Sequence, residues 1–152
     1  MKKHKLKKIE IFTDGACKNN PGPGGWAAIL RYKNFEKRIC GSSPYTTNNR
    51  MELLALINAL SIVRYPCEVS VFSDSKYVVD SISKGRVFSW KKNGWMRKNK
   101  KIPNSDLWIK LIDLLGCHKV FVYWQKGHSG NFENEECDKM ASAASKRVLC
   151  NF

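Results

Sequence analysis

The sequence predicts an α/β domain in which a mixed β-sheet is flanked by helices, and two observations lead to that prediction. Three strand-like segments follow one another between residues 8 and 42, and beyond residue 47 helical segments alternate with two further strands. Consecutive strands favour antiparallel pairing, whereas strands separated by helices favour parallel pairing. A chain of 152 residues has the length of one domain with a proper core, and we expect residues 1–152 to form it.

Three strands occupy the first third of the chain. Residues 8–13 have an alternating pattern and predict a strand that ends at Asp14. Residues 18–25 are dense in Asn, Pro and Gly, which favours a loop. Residues 26–32 and 35–42 then predict a hairpin, because two apolar segments are separated by a two-residue turn.

Helices and two more strands fill the remainder of the chain. Apolar residues recur at helical spacing at Leu53, Leu56, Ile57 and Leu60, and they predict a helix that ends near Pro66. The other predicted elements are a strand at 68–73, a helix at 75–84, a basic and aromatic stretch at 86–103, a helix at 105–115, a strand at 118–124 and a helix at 132–148.

Basic residues dominate the charge, with 27 Lys and Arg against 13 Asp and Glu and a formal net charge of +14. Such an excess is an argument about partners rather than fold, and nucleic acid is the polyanion that fits it best. The plain alternative is a basic protein without such a partner. No apolar run is long enough to span a bilayer and no lipid-seeking amphipathic helix stands out, so a membrane partner is not expected.

The chain starts with a short basic segment, residues 1–7, which we interpret as a solvated tail. Neither an apolar stretch nor a cleavage site follows it, so a signal peptide is not predicted and we expect a cytoplasmic protein. The six cysteines lack the spacings of zinc sites. In this setting we expect them to be free thiols, most of them buried.

Four acidic residues stand out in this basic chain, and each has an ordinary structural explanation. Asp14 suits a turn, Asp74 suits a helix cap, and Asp138 suits an exposed helix surface. Glu52 has the spacing of a capping-box acid after Asn49, but it lies beyond the first turn if the helix begins near residue 47.

The alternative is that these carboxylates converge on a metal. Asp14 and Asp74 each follow a predicted strand, and the carboxyl ends of adjacent parallel strands meet at one edge of a sheet. Two neighbouring carboxylates repel unless a proton or a cation neutralises them, and oxygen ligands of this kind suit magnesium or manganese. Spacing alone leaves a divalent-metal site as one interpretation beside the structural ones.

The sequence around these acids resembles type 1 ribonuclease H, of the bacterial ribonuclease HI kind. The matching segments, in the order of the family, are TDGAC at 13–17 with NPGPGGWAAIL at 20–30, TTNNRMEL at 46–53, FSDSKYV at 72–78, and WQKGHSG at 124–130 with ENEECD at 133–138. They belong to a resemblance that runs from residue 8 to about residue 146, nearly the whole chain. Four linked motifs are far more specific than any one alone.

The resemblance implies a five-stranded mixed sheet of order 3-2-1-4-5 with helices on both faces. It also implies endonucleolytic hydrolysis of the RNA strand of RNA–DNA hybrids, which leaves 3′-hydroxyl and 5′-phosphate ends. The implied cofactor is a pair of Mg²⁺ ions, with Mn²⁺ as an alternative. By position, the metal-binding and catalytic carboxylates are Asp14, Glu52, Asp74 and Asp138, and the mobile catalytic histidine is His128.

A division of labour among these residues follows from the resemblance. Asp14 would bridge both ions, and Glu52 and Asp74 would hold the ion nearer the leaving group. Asp138 would hold the ion that carries the attacking water, and His128 would stand near that water or escort a proton.

The resemblance further implies which residues contact the hybrid. The positions that match minor-groove and phosphate contacts are Cys17, Asn20, Thr47, Asn48, Ser75 and Lys76. Lys76 departs from the Gln that is common in the bacterial pattern, and a lysine cannot accept a hydrogen bond, so a phosphate contact is expected there. Residues 88–98 resemble the family's basic protrusion. Its expected contacts are Trp90, Lys91, Lys92, Trp95, Arg97 and Lys98, and Trp95 is also expected to pack on the core.

Two other functions are compatible with parts of the sequence. One is a protein of the same fold that binds hybrids without cleaving them, but the presence of all four carboxylates and His128 argues against it. The other is a nuclease of related fold that acts on branched DNA. The matches to the loop that reads the 2′-hydroxyl and to the basic protrusion argue against that function. The usual state of the family is a monomer, which is the expectation here.

Overall fold

The structure of the protein is a computed structural model, and it describes residues 5–127 and 130–150, with side chains as far as residue 147. The strands in these segments are β1 (Lys7–Cys17), β2 (Gly22–Tyr32), β3 (Phe35–Thr46), β4 (Cys67–Ser73), β5 (Met96–Arg97), β6 (Lys100–Lys101) and β7 (Lys119–Trp124). The helices are α1 (Asn48–Ser61), α2 (Lys76–Ser83), α3 (Arg86–Lys92), α4 (Ser105–Gly116) and α5 (Phe132–Cys150).

Five of the strands form one mixed sheet in the order β3-β2-β1-β4-β7. The first three strands follow one another along the chain and pair antiparallel. Strand β4 pairs parallel with β1 and with β7, each time after a helical crossover. Counted within this sheet the order is 3-2-1-4-5, so the predicted fold is confirmed. The short strands β5 and β6 form a separate hairpin inside the basic, aromatic stretch.

Strands β1 and β2 extend further than the sequence predicts. Residues 14–17 of β1 pair with residues 24–27 of β2, so Asp14 lies within a strand rather than at its end. The prediction of a loop over residues 18–25 is wrong from Gly22 onward, where β2 already begins. Glycines tolerate the extended conformation when a neighbouring strand supplies the hydrogen bonds.

The parallel pairing of β1 with β4 stops earlier than the antiparallel one. Its last paired residues are Thr13 of β1 and Ser73 of β4. The two strands therefore part immediately before Asp14 and Asp74, and this gap is where the candidate site lies.

Helices cover both faces of the sheet, as predicted. Ile11 and Phe12 are consecutive on β1 and point to opposite faces, yet both are buried. On one face α1 and α4 cover the larger cluster, whose fully buried side chains include Leu53, Leu56, Leu60, Val71, Trp108 and Leu111. On the other face α5 covers a smaller cluster formed by Phe12, Ala27, Ile29, Cys137 and Ala141. None of the helices within residues 5–127 and 130–150 combines the length and the apolar character that crossing a bilayer requires.

The cysteines are free where the structure describes their side chains, as predicted. Cys67 and Cys137 are buried and Cys17 is half-buried, but Cys40 and Cys117 are exposed. The expectation of mostly buried thiols is therefore wrong for the last two.

Strand β1 takes in Lys7, the last residue of the predicted basic tail. Lys7 already pairs with Cys67 as the first residue of β1. Residues 1–4 lie outside the described residues.

Candidate metal and nucleic-acid site

Three of the four singled-out carboxylates meet where β1 and β4 part. One oxygen from each of Asp14, Glu52 and Asp74 lies within 4.8 Å of the other two, and we call these three residues the carboxylate cluster. Asp14 and Glu52 are each only 3% exposed, and Asp74 is half-buried. Asp14 and Asp74 come from the point where the parallel pairing of β1 with β4 stops, and helix α1 adds Glu52.

Glu52 reaches the cluster from the second turn of α1. The N-cap is Thr47, whose hydroxyl accepts a hydrogen bond from the Arg50 N–H at 3.3 Å. Glu52 therefore lies beyond the capping-box position, which decides between the two interpretations of its spacing. Gly15 permits the close approach, because a Cβ at this residue would stand 2.7 Å from the Glu52 amide nitrogen and push α1 away from β1.

Asp74 stands between β4 and α2 without capping the helix. The N-cap is Ser75, whose hydroxyl accepts a hydrogen bond from the Val78 N–H at 3.2 Å. Trp124 and Gly127, which come later in the chain, both lie against Asp74. The Trp124 Nε1–H donates to the Asp74 carbonyl at 3.1 Å, and a Cβ on Gly127 would come within 2.8 Å of Asp74 Oδ2. Helix capping does not account for an acid at this position.

Asp138 approaches the same region from α5. It is half-buried rather than fully solvated, and its negative charge contributes to raising the pKa of Asp14. The preceding Cys137 is fully buried, and its thiol donates a hydrogen bond to the Phe12 carbonyl at 3.3 Å. This contact anchors the turn of α5 that carries Asp138 against β1.

Burial changes the acid–base chemistry of the cluster. The pKa of Asp14 is raised from 3.8 to about 8, first by loss of hydration and then by the charge of Asp74, while hydrogen bonds with Glu52 and with the Gly15 N–H act in the opposite direction. The pKa of Glu52 is raised well above its usual value, again by burial first and then by the charges of Asp14 and Asp74. Without a cation, protonation is the means by which such a cluster limits its own repulsion.

The cluster fits a hard divalent cation. Its donor atoms are carboxylate oxygens, the ligands that Mg²⁺ and Mn²⁺ prefer. Glu52 Oε2 is buried and has no hydrogen-bond partner among the residues that the structure describes. A buried charged oxygen without a partner is costly, and a coordinated cation would both satisfy it and relieve the repulsion.

His128 lies outside the described residues. Its neighbour Gly127 is described and lies against Asp74, so the loop that follows β7 starts beside the cluster. The catalytic role of His128 stays a prediction.

Several residues expected to contact nucleic acid also support the local structure. The Asn48 N–H donates to Asn20 Oδ1 at 3.0 Å, and the Cys17 thiol donates to the Thr46 carbonyl at 3.3 Å. The first bond ties the loop between β1 and β2 to the start of α1, and the second ties the end of β1 to the end of β3. Thr47 and Ser75, the N-caps of α1 and α2, are also among the residues expected to contact nucleic acid. Lys76, the first residue of α2, is exposed.

The basic protrusion, residues 88–98, presents its cations to solvent. The exposed ones are Lys91, Lys92, Arg97 and Lys98. Trp90 and Trp95 are half-buried and pack against the larger core cluster, and Trp90 meets Trp108 edge-on with ring centroids 5.8 Å apart. Lys100 and Lys101 of β6 are also exposed and extend this surface beyond the residues expected from the sequence.

A hydrogen-bonded network that the sequence did not predict runs from α1, the helix that carries Glu52, to Trp108, whose ring packs on Trp90 of the protrusion. Arg50, in the first turn of α1, donates to the two carboxylate oxygens of Asp106 at 2.9 and 2.8 Å and to Asn104 Oδ1 at 3.4 Å. Asn104 Nδ2 donates to the Tyr77 hydroxyl at 3.2 Å, and Trp108 Nε1 donates to the same oxygen at 2.8 Å. Arg50 lies inside a recognised motif, but its partners are 54 and 56 residues away and spacing does not reveal them.

The sequence comparisons point to one family. A family model described as RNase H matches residues 6–146. The chain is 55% identical over 137 residues to the ribonuclease H of Rhizobium johnstonii, and the match covers 90% of this chain and 90% of that protein.

Solved structures agree with this family. LC9-RNase H1, a type 1 RNase H with the type 2 active-site motif, superposes with a TM-score of 0.87 at 28% identity, over 97% of this chain and 76% of that one. LC11-RNase H1, solved in complex with an RNA/DNA hybrid, has a TM-score of 0.72 at 21% identity, over 93% of this chain and 99% of that one, which shows the shared fold. The chain therefore belongs to the ribonuclease H family, in its bacterial type 1 branch, and is a hydrolase of that family.

Proposed function

We propose that this hydrolase cleaves the RNA strand of RNA–DNA hybrids endonucleolytically and leaves 3′-hydroxyl and 5′-phosphate ends. The observation that carries the proposal is the carboxylate cluster, with oxygens within 4.8 Å of one another in a chain of net charge +14. Metal-assisted hydrolysis of a nucleic acid backbone uses an acidic site for cations together with a basic surface for the polyanion. The relative from Rhizobium johnstonii is named a ribonuclease H, and LC11-RNase H1 binds an RNA/DNA hybrid.

The proposed cofactor is Mg²⁺, with Mn²⁺ as a substitute, as two ions when substrate is bound. The residues that would hold them are Asp14, Glu52, Asp74 and Asp138. Bound there, the ions would supply an activated water and neutralise the charge of the scissile phosphate and of the leaving 3′-oxygen. Folding has already removed the water around the carboxylates of Asp14 and Glu52. Binding a cation there therefore carries no further cost for desolvating these two side chains.

The chain's own residues would recognise the two strands separately. The 2′-hydroxyl distinguishes RNA from DNA, and in this proposal the loop of Cys17 and Asn20, together with Asn48 and Ser75, reads that strand. Thr47 would contact a phosphate of the DNA strand. The exposed cations of the basic protrusion would bind further phosphates, which adds affinity without sequence preference.

His128 would complete the site by standing near the attacking water or by carrying a proton during product release. We also propose that residues 1–152 act as one domain, as a monomer, in the cytoplasm. The single sheet supports the one-domain proposal, because it takes strands from both halves of the chain.

The test is a cleavage assay with end-labelled RNA–DNA, RNA–RNA and DNA–DNA duplexes of one sequence. Each duplex is incubated with Mg²⁺, with Mn²⁺ or with EDTA. We expect cleavage of the RNA strand of the hybrid alone, only with a metal, and products that a 3′-end-extending polymerase accepts. Hybrid binding without cleavage in either metal would leave a binding protein and overturn the proposal. Equal cleavage of the DNA duplex would overturn the assigned substrate.

A further inference from the structure

Trp124, the last residue of β7, makes two contacts beside the carboxylate cluster. Its indole N–H donates to the Asp74 carbonyl at 3.1 Å, and its ring centroid lies 4.6 Å from the Lys76 ammonium. The strand register places it there, because Trp124 pairs with Ser73, the last residue of β4. One side chain therefore touches the backbone of a cluster residue and the cation two residues further on.

The contact with Lys76 is closer than the other contacts between cations and rings in the described part of the chain. Those other contacts have distances of 5.4 to 5.6 Å. An indole is also the most attractive ring for a cation, because its face carries the strongest negative potential. Among the described cations that lie over a ring, Lys76 therefore has the shortest contact and the most favourable type of ring.

A cation held by a ring keeps its charge. The ring is neutral, so it restrains the ammonium without cancelling its field, and an ammonium has three N–H donors, which a single ring face does not use up. An ion pair with a carboxylate would instead cancel much of that field. Lys76 is exposed and Trp124 is 44% exposed, so an anion can approach them.

We propose that Trp124 is a positioning residue that holds Lys76 as a phosphate-binding cation beside the carboxylate cluster. The hydrogen bond to the Asp74 carbonyl fixes the turn from which Asp74 and Lys76 both project. Trp124 thereby sets the cation and the cluster at a constant separation along the nucleic acid backbone. The inference rests on the proposed function in one respect, since the phosphate is taken to be one of the hybrid.

A merely structural role for Trp124 predicts different measurements. Loss of a purely structural contact would lower the Tm and the kcat, but it would leave the salt dependence of hybrid binding unchanged. A cation that binds a phosphate releases counterions, so its removal lowers the slope of log Kd against log salt by about one.

The deciding experiment is a double-mutant cycle on Lys76→Met and Trp124→Leu. Binding of a fluorescent RNA–DNA hybrid is measured by anisotropy in EDTA over a range of salt. We expect Lys76→Met to weaken binding and to lower the salt slope by about one. In the Trp124→Leu background the same change should cost about two- to fivefold less, because the platform for the cation is already lost. Additive effects, or a salt slope that Lys76→Met leaves unchanged, would overturn the inference.

Two further variants sharpen this cycle. Lys119→Met is the matched control, because Lys119 lies 5.5 Å from the Phe121 ring on the same strand but at its opposite end, and its salt slope should equal that of the wild type. Trp124→Phe keeps a ring but removes the N–H, so kcat should fall while the salt slope is retained. A loss of slope in Trp124→Phe as large as in Trp124→Leu would count against the ring as the holding group.

The outcomes separate this inference from the proposed function. A wild type that binds the hybrid without cleaving it overturns the proposed function, and the binding cycle in EDTA still decides the roles of Lys76 and Trp124. A wild type that cleaves while the cycle is additive overturns the inference alone.

Discussion

The carboxylate cluster and the basic protrusion carry opposite charges and are built in opposite ways. The cluster gathers three acids from β1, α1 and the end of β4, and two of them are 3% exposed. The protrusion instead presents its cations to solvent on a short helix and a hairpin. Burial raises the pKa of Asp14 to about 8, whereas salt screens exposed cations over a Debye length of roughly 8 Å. The position of each acid therefore matters individually, while the cations act mainly through their number.

The largest effect is expected when the cluster loses one charge. Asp14→Asn keeps the shape of the side chain but removes an anion that would hold cations, so kcat on a hybrid should fall on the order of 10³-fold. The fold should survive, because a neutral amide is easier to bury than a carboxylate. The control is Asp113→Asn on the exposed surface of α4, which should cleave like the wild type. Near-normal turnover by Asp14→Asn would refute the role assigned to it.

A smaller effect of a different kind is expected from the protrusion. Lys91→Ala combined with Lys92→Ala should raise KM roughly tenfold at low salt and lower the salt slope by about two, with kcat unchanged. Trp90 is left in place because it packs on Trp108, and its removal would mix stability with binding. Steady-state kinetics over a salt series provide the measurement.

The control for the protrusion removes the same number of charges elsewhere. Lys37→Ala combined with Lys110→Ala changes two exposed lysines outside the protrusion and should leave KM and the salt slope close to wild type. A loss confined to kcat in the protrusion variant would argue that the two regions do not differ as described.

The two regions also differ in how far the sequence could predict them. The composition of residues 88–98 was enough to predict the exposed cations of the protrusion, because the exposure of a surface lysine or arginine depends little on which residues surround it. The cluster depended on contacts between distant residues. Asp74 could be placed from a strand end, whereas Asp14 lies within β1 and only the parallel pairing with β4 stops before it. The place of Glu52 depended on the first residue of α1, and the sequence offered both Thr47 and Asn49 as the cap.

Parallel register was the information that local sequence lacked. The bond from Trp124 to the Asp74 carbonyl joins residues 50 apart, and no turn residue or spacing specifies which residues of β4 and β7 face each other. The glycines at 22–25 were misread for a similar reason. Glycines indicate that the backbone is free to adopt several conformations. A neighbouring strand can select the extended conformation by supplying hydrogen-bond partners, as β1 does for β2 here.

The buried acids predict an unusual pH dependence of stability for the metal-free protein. Asp14 titrates near pH 8 when folded and near 3.8 when unfolded, so the folded state binds more protons between these values. Its stabilising contribution is fully present below the lower value and is lost as the pH rises through the higher one. The shift of Glu52 acts in the same direction. In EDTA we therefore expect the Tm of the wild type, relative to Asp14→Asn, to fall as the pH rises from about 5 to about 8.

Magnesium should reverse this trend. Cation binding requires deprotonated carboxylates, so added Mg²⁺ should raise the wild-type Tm more at pH 8 than at pH 6. Asp113→Asn serves again as the reference and should follow the wild type. A Tm difference between wild type and Asp14→Asn that does not change with pH in EDTA would show that Asp14 is not protonated in the folded protein.

The smallest effect is expected at the hydrogen-bonded network between Arg50 of α1 and Trp108, the residue on which Trp90 of the protrusion packs. The hydrogen bonds from Arg50 lower the pKa of Asp106 to about 2. A carboxyl group whose pKa is lowered by folding stabilises the protein above its unfolded pKa, near 3.9, and that contribution is lost as the pH falls toward the folded value. The side chains of Arg50 and Asp106 are 34% and 57% exposed, so solvent screens the pair. Asp106→Asn should therefore lower the free energy of unfolding at pH 7 by only ~0.2–1 kcal/mol.

Urea unfolding and kinetics of Asp106→Asn would show whether the cluster and the protrusion act separately. The stability difference from wild type should shrink as the pH is lowered from about 5 to about 3, because the Asp106 carboxyl group of the unfolded chain then takes up a proton while that of the folded protein, with a pKa of about 2, stays largely ionised. The kcat and the salt slope should stay at wild-type values, since Asn104 and Tyr77 still join α4 to α2. A fall in kcat comparable to that of Asp14→Asn would mean that the contacts of Arg50 couple the protrusion to Glu52, which lies two residues further along α1. Chemistry and binding would then be one coupled unit, not a buried acidic site beside an independent basic surface.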